Sequence, residues 1–110
     1  MIIVRIIMNV LPEKHKEMMQ TLLSMIEAVG KEKGCLSHEV SCDLEGNNVF
    51  TVIEEWETRE DLDHHIRSER FSALLGTKSL LAKPSEINIH TVSLSEGLEV
   101  VNALRGKENF

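Results

Sequence analysis

A carboxylate, an indole and an imidazole stand close together in this chain, as Glu54, Trp56 and His65. An imidazole titrates near neutrality and can pass a proton in either direction. A carboxylate beside it fixes its tautomer, and an indole supplies an apolar wall. The β-branched run Val49, Thr51, Val52 and Ile53 reads as a strand. Alternation along it places Phe50, Val52, Glu54 and Trp56 on one face. A carboxylate on an otherwise apolar face is costly unless a partner or a polar cavity receives it. Thr58-x-x-Asp61 reads as a capping box opening a helix. There Leu62, His65 and Ile66 recur at helical spacing, which turns His65 toward the core and His64 away.

The elements that position these groups follow from the hydrophobic pattern. Residues 2–10 form a first strand, and Pro12 suits the first turn of a helix in which Met18, Leu22, Met25, Ile26 and Val29 repeat. That helix stops by Gly34, with Lys31 and Lys33 in its last turn. Residues 35–43 and 48–57 pair as a hairpin across Glu45-Gly46-Asn47-Asn48. Helix returns at 59–67, and Ser68 caps a further segment carrying Phe71, Leu74 and Leu75. A last strand runs over 86–94. The order βαββαβ predicts an α+β, ferredoxin-like fold with an antiparallel sheet and all helices on one face. The bare face calls for a second copy, so a homodimer is expected. Residues 1–94 make the domain. The tail 95–110, with Leu98, Val101 and Leu104, is a separate segment able to form a short helix at the dimer interface.

With 110 residues and 42% hydrophobic side chains, the chain supports one domain with one core. A net charge of −6, without a basic stripe interleaved with aromatics, argues against nucleic acid. The apolar stretch from Met1 to Leu11 is short and holds Arg5, so it reads as a strand and not as a signal peptide or membrane anchor. Cytoplasmic localisation is the expectation. Cys35 and Cys42, seven apart in one strand, are expected on opposite faces as reduced thiols. His15, His38, His64 and His90 are scattered over separate elements, which predicts no metal site.

Four motifs in order make the chain resemble the antibiotic biosynthesis monooxygenase family of the dimeric α+β barrel superfamily. They are Pro12 at the first helix, Gly34-Cys35-Leu36 at the turn into the second strand, Glu54-x-Trp56, and Leu62-x-x-His65-x-x-Ser68-x-x-Phe71. The resemblance spans roughly residues 1–94 and implies a homodimeric barrel with a small-molecule pocket between helices and sheet. It further implies oxygenation of quinols or phenols by molecular oxygen without metal, flavin or haem. An electron-rich phenolate can itself reduce oxygen, so the protein need only deprotonate, orient and desolvate it. On this reading His65, Trp56 and Glu54 are catalytic, and Arg70, Phe71, Phe50, Val52 and Asn9 bind substrate.

The chain departs from the pattern of that family in places. Arg70 stands where many members carry a second histidine, Val52 stands where one branch has asparagine, and no tyrosine is present. His65 and Leu75 replace the tryptophan and histidine of the haem-degrading branch. Each residue also has a structural reading: His65 as a hydrogen-bonded core histidine, Trp56 as packing, Glu54 as an orienter of His65, and Arg70 as a solvated helix residue. Asn9 and Arg5 share a strand face with Ile3 and Ile7, which suits an interface as well as a pocket edge. Two other functions fit the same scaffold: an isomerase or detoxifier of small reactive carbonyls, and a non-enzymatic dimeric ligand binder.

Overall fold

The computed structural model describes residues 1–106. Four strands form one antiparallel sheet: β1 (Ile2–Asn9), β2 (Cys35–Cys42), β3 (Val49–Trp56) and β4 (Glu86–Thr91), in the order β2-β3-β1-β4. Because β3 lies between β1 and β2, and β1 between β3 and β4, the chain makes two split βαβ units, the ferredoxin-like α+β arrangement. The helices are α1 (His15–Gly30), α2 (Arg59–Ile66), α3 (Glu69–Leu75) and α4 (Leu98–Arg105). A 3-10 turn over Pro12–Lys14 leads into α1, and another over Gly76–Leu80 follows α3.

Period-two alternation decides the faces. Ile2, Val4, Ile6 and Met8 of β1, together with Phe50, Val52, Glu54 and Trp56 of β3, are buried under the helices. The helices answer with Met18, Leu22 and Val29 from α1, Leu62 and His65 from α2, and Phe71 and Leu74 from α3. Ile3, Arg5, Ile7 and Asn9 point to the other face, which no element among the described residues covers.

Caps set where α2 and α3 begin. Asp61 N–H donates to Thr58 Oγ1 at 3.1 Å, and the hydroxyl donates in turn to Asp61 Oδ2 at 2.9 Å. Phe71 N–H donates to Ser68 Oγ at 3.2 Å. These two starts fix which side chains of α2 and α3 look inward.

The structure corrects several expectations. The last strand ends at Thr91, not at 94. Helix α1 ends at Gly30, so Lys31 and Lys33 lie beyond its last turn. A bulge between Cys35 and Ser37 shifts the register of β2, pairing Cys35 with Trp56, His38 with Glu54 and Cys42 with Phe50. Both cysteines therefore belong to the same sheet face, although roughly 20 Å of strand separates them, and both are free. Helix α4 forms where the tail's apolar spacing placed it, but none of its residues is buried. Residues 107–110 lie outside the described part. Among the described residues no helix is long and apolar enough to cross a membrane.

Gly34 joins the helical layer to the sheet. It adopts φ +81°, its carbonyl accepts Glu57 N–H at 2.8 Å, and a Cβ there would collide with the Asp61 carboxylate. Gly34→Ala is expected to destabilise the fold by about 1–3 kcal/mol in urea unfolding. Wild-type stability in that variant would refute the close approach.

Candidate active site

Glu54 sits in the centre of the buried sheet face, with 1% of its surface exposed. A bare carboxylate there would be costly, and three donors meet it. His38 Nδ1–H donates to Oε2 at 3.0 Å, and Trp56 Nε1–H donates to Oε1 at 3.2 Å. His65 Nε2 faces Oε2 at 3.4 Å. Burial alone would raise the Glu54 pKa, but the hydrogen bonds from His38 and His65, the charge of His65 and the Trp56 donor outweigh it. The carboxyl is held at about 2.

His65 is gripped from both ends. Its Nδ1 lies 3.1 Å and 3.0 Å from the two carboxylate oxygens of Glu32, in the turn that follows α1. The ring stacks on Trp56 with centroids 4.6 Å apart, and the edge of Phe71 meets it at 5.4 Å. An ionised carboxylate only accepts hydrogen bonds, so one beside each nitrogen favours the doubly protonated imidazole. Burial opposes that charge, but Glu54 and Glu32 together raise the His65 pKa above its ordinary value. Arg70 Nη1 lies 3.8 Å from Glu32 Oε2, extending the chain of alternating charge to the half-exposed Arg70.

A cavity of about 10 Å³ adjoins this cluster, room for no more than one water. Leu22, Val29, Val52, Arg70, Phe71 and Leu74 line it with the polar groups. Of the residues singled out in the sequence, Glu54, Trp56, His65, Arg70, Phe71 and Val52 are brought together. Phe50 lies on the same face but at the far end of β3, packed against the His15 ring at 4.9 Å. Asn9 is corrected outright: strand alternation turns it to the opposite face of the sheet, away from His65.

Sequence reasoning missed two members of the cluster, His38 and Glu32. Alternation among His38, Val40 and Cys42 carried a signal for the first; nothing in the charged run Lys31-Glu32-Lys33 distinguished the second. Among the described residues no group of three His, Cys, Asp or Glu side chains is arranged to hold a metal ion. Cys35 stays a thiol, its pKa raised by burial and by Glu54 and Glu32.

Fold and site together define a small split-βαβ domain with a polar node sealed between sheet and helices. The family model of Antibiotic biosynthesis monooxygenase matches residues 1–75, and the chain belongs to this family. An uncharacterized protein of Synechocystis sp. is 32% identical over 91 residues, 82% of this chain. The match spans only 62% of that relative's length. A conserved protein from Methanosarcina mazei has a solved structure with TM-score 0.75 and 40% identity, covering 81% of this chain and 89% of that one. An antibiotic biosynthesis monooxygenase family structure from Deinococcus radiodurans superposes with TM-score 0.81 at 22% identity, covering 88% and 97% of the two chains. At that identity it speaks for the fold alone.

The paired groups give stability a pH profile. Glu54, lowered from 4.5 to about 2, stabilises the fold above its unfolded value, and this is lost as pH falls toward 2. His65, raised from 6.5, stabilises fully below 6.5, and this is lost as pH rises through its folded value. Urea unfolding should therefore show a stability limb attributable to each group outside the interval from 4.5 to 6.5. Glu54→Gln should flatten the acid limb and cost about 2–4 kcal/mol at neutral pH. In a separate NMR titration, Glu32→Gln should lower the His65 midpoint. An unmoved midpoint would remove Glu32 from the cluster.

Proposed function

We propose that this chain is a homodimeric monooxygenase, needing no resident cofactor, that oxidises a small quinol or phenol with molecular oxygen. The observation that carries this reading is His65, stacked on Trp56 and met by the edge of Phe71, with a carboxylate at each nitrogen, in a member of this family. In such a reaction the substrate supplies every electron. It loses its hydroxyl proton, the phenolate reduces oxygen, one oxygen atom bonds to carbon, and the other leaves as water. A cationic His65 facing the hydroxyl lowers the cost of the phenolate and can return a proton to the departing peroxide oxygen. To act as a base it must first cede a proton, and if the Nδ1 proton passes to Glu32 the lone pair that takes the next proton lies on Nδ1. Glu54 is a weak base at a pKa of about 2 and serves to hold His65, His38 and Trp56. Trp56 and Phe71 keep the imidazole oriented and dry, and Arg70 supplies a second cation at the solvent side.

One observation favours a second reading, a ligand binder without chemistry: Glu54 is fully hydrogen-bonded and its cavity is small. Oxygen consumption with a panel of quinols and phenols separates the two. His65→Ala is expected to lower turnover by about 100-fold or more. Equal rates would strip His65 of its role, and no uptake with any substrate would leave the binder. Turnover of a small carbonyl without oxygen would instead support an isomerase.

The dimer rests on the bare sheet face carrying Ile3, Ile7 and the exposed Ile53, and on α4, none of whose residues is fully buried. A second copy covering the sheet, with the tail at the interface, would bury on the order of 1,600 Å². Light scattering at micromolar concentration should give the mass of two chains, and a monomer mass would refute the arrangement.

A further inference from the structure

An open groove of about 530 Å³ runs between β4 and the segment from α3 to the loop before β4. Its floor is apolar, built from Ile6, Met8, Leu75, Leu81 and Ile87, and Lys78 and Lys83 stand on its border. Leu74 lines this groove and also lines the small cavity beside His65. Ile6 and Val52 are paired neighbours in the sheet, one under each space, so Leu74 is the side chain that divides them. A cavity with room for one water cannot receive a ring, whereas the groove beside it can.

We propose that the groove is the binding site for an aromatic hydroxy acid and that Leu74 is the door between it and His65. The ring lies on the apolar floor, its carboxylate meets Lys78 and Lys83, and its hydroxyl points past a rotated Leu74 toward the imidazole. Two lysines lining a mostly apolar groove favour an anion over a neutral hydrocarbon. This inference rests on the His65 site being where substrate reacts, but it concerns access and recognition, which can be read without turnover.

Trp56 is the sole tryptophan, fully buried and stacked on His65, so its emission reports entry to the site. The probe is 3-hydroxy-2-naphthoate, with acrylamide, iodide and caesium as quenchers. The wild type should bind the naphthoate saturably, and Lys78→Glu with Lys83→Glu should weaken binding by about tenfold or more while acrylamide quenching stays unchanged. Leu74→Ala should raise quenching of Trp56 several-fold, more by iodide than by caesium. Leu74→Val, which trims the same side chain less, carries the test if the alanine variant does not fold. Leu22→Ala enlarges the cavity from the α1 side without joining the groove and should raise quenching less. Equal quenching in the Leu22 and Leu74 variants would mean general loosening and overturn the door. Naphthoate binding indifferent to both lysines would overturn the ligand class. Binding that fell as protein concentration rose would show the groove to be filled by a second copy. Failure of oxygen uptake with naphthoate seated would count against the oxygenase and leave the binding site standing.

Discussion

Glu54 is buried in the middle of a hydrophobic sheet face and kept ionised, and the arrangement of the domain follows from satisfying it. Desolvating a lone carboxylate costs several kcal/mol, so its donors must all arrive in place when the chain folds. They come from three elements: His38 on β2, Trp56 on β3 itself and His65 on α2. Slipping β2 by one residue would remove His38 from the carboxylate and turn it to the other face. Starting α2 one residue later would rotate His65 away by about 100°. The bulge at Cys35–Ser37 and the Thr58 cap are thus parts of one polar constraint on register. Hydrophobic burial stabilises the layers, while the carboxylate and its donors select one way of stacking them.

Much of this was legible because it is periodic and local. Alternation placed Phe50, Val52, Glu54 and Trp56 together, helical spacing turned His65 inward, and Thr58 and Ser68 announced their helices. What escaped was set by irregular backbone or distant partners. A bulge breaks parity, so Cys35 and Cys42, odd and even in number, share a face. Glu32 meets His65 across 33 residues from a turn, and no rule of spacing links those positions. Asn9 failed for the opposite reason: its parity was readable, but parity does not say which face of a sheet carries the helices until the whole core is assembled.

The resting cluster also constrains what chemistry can follow. With Glu54 and Glu32 on its two nitrogens, His65 is biased toward holding both protons. The two carboxylates are not equivalent neighbours. Glu54 is sealed and accepts from His38 and Trp56 as well, so a proton placed on Oε2 would compete there with the His38 donor. Glu32 lies at the margin, where its side chain keeps some exposure and Arg70 stands 3.8 Å away. A proton moving off Nδ1 toward Glu32 therefore has a route to solvent that a proton moving toward Glu54 lacks. The asymmetry leaves Nε2 as the nitrogen that faces the sealed interior and Nδ1 as the one that faces exchange with solvent.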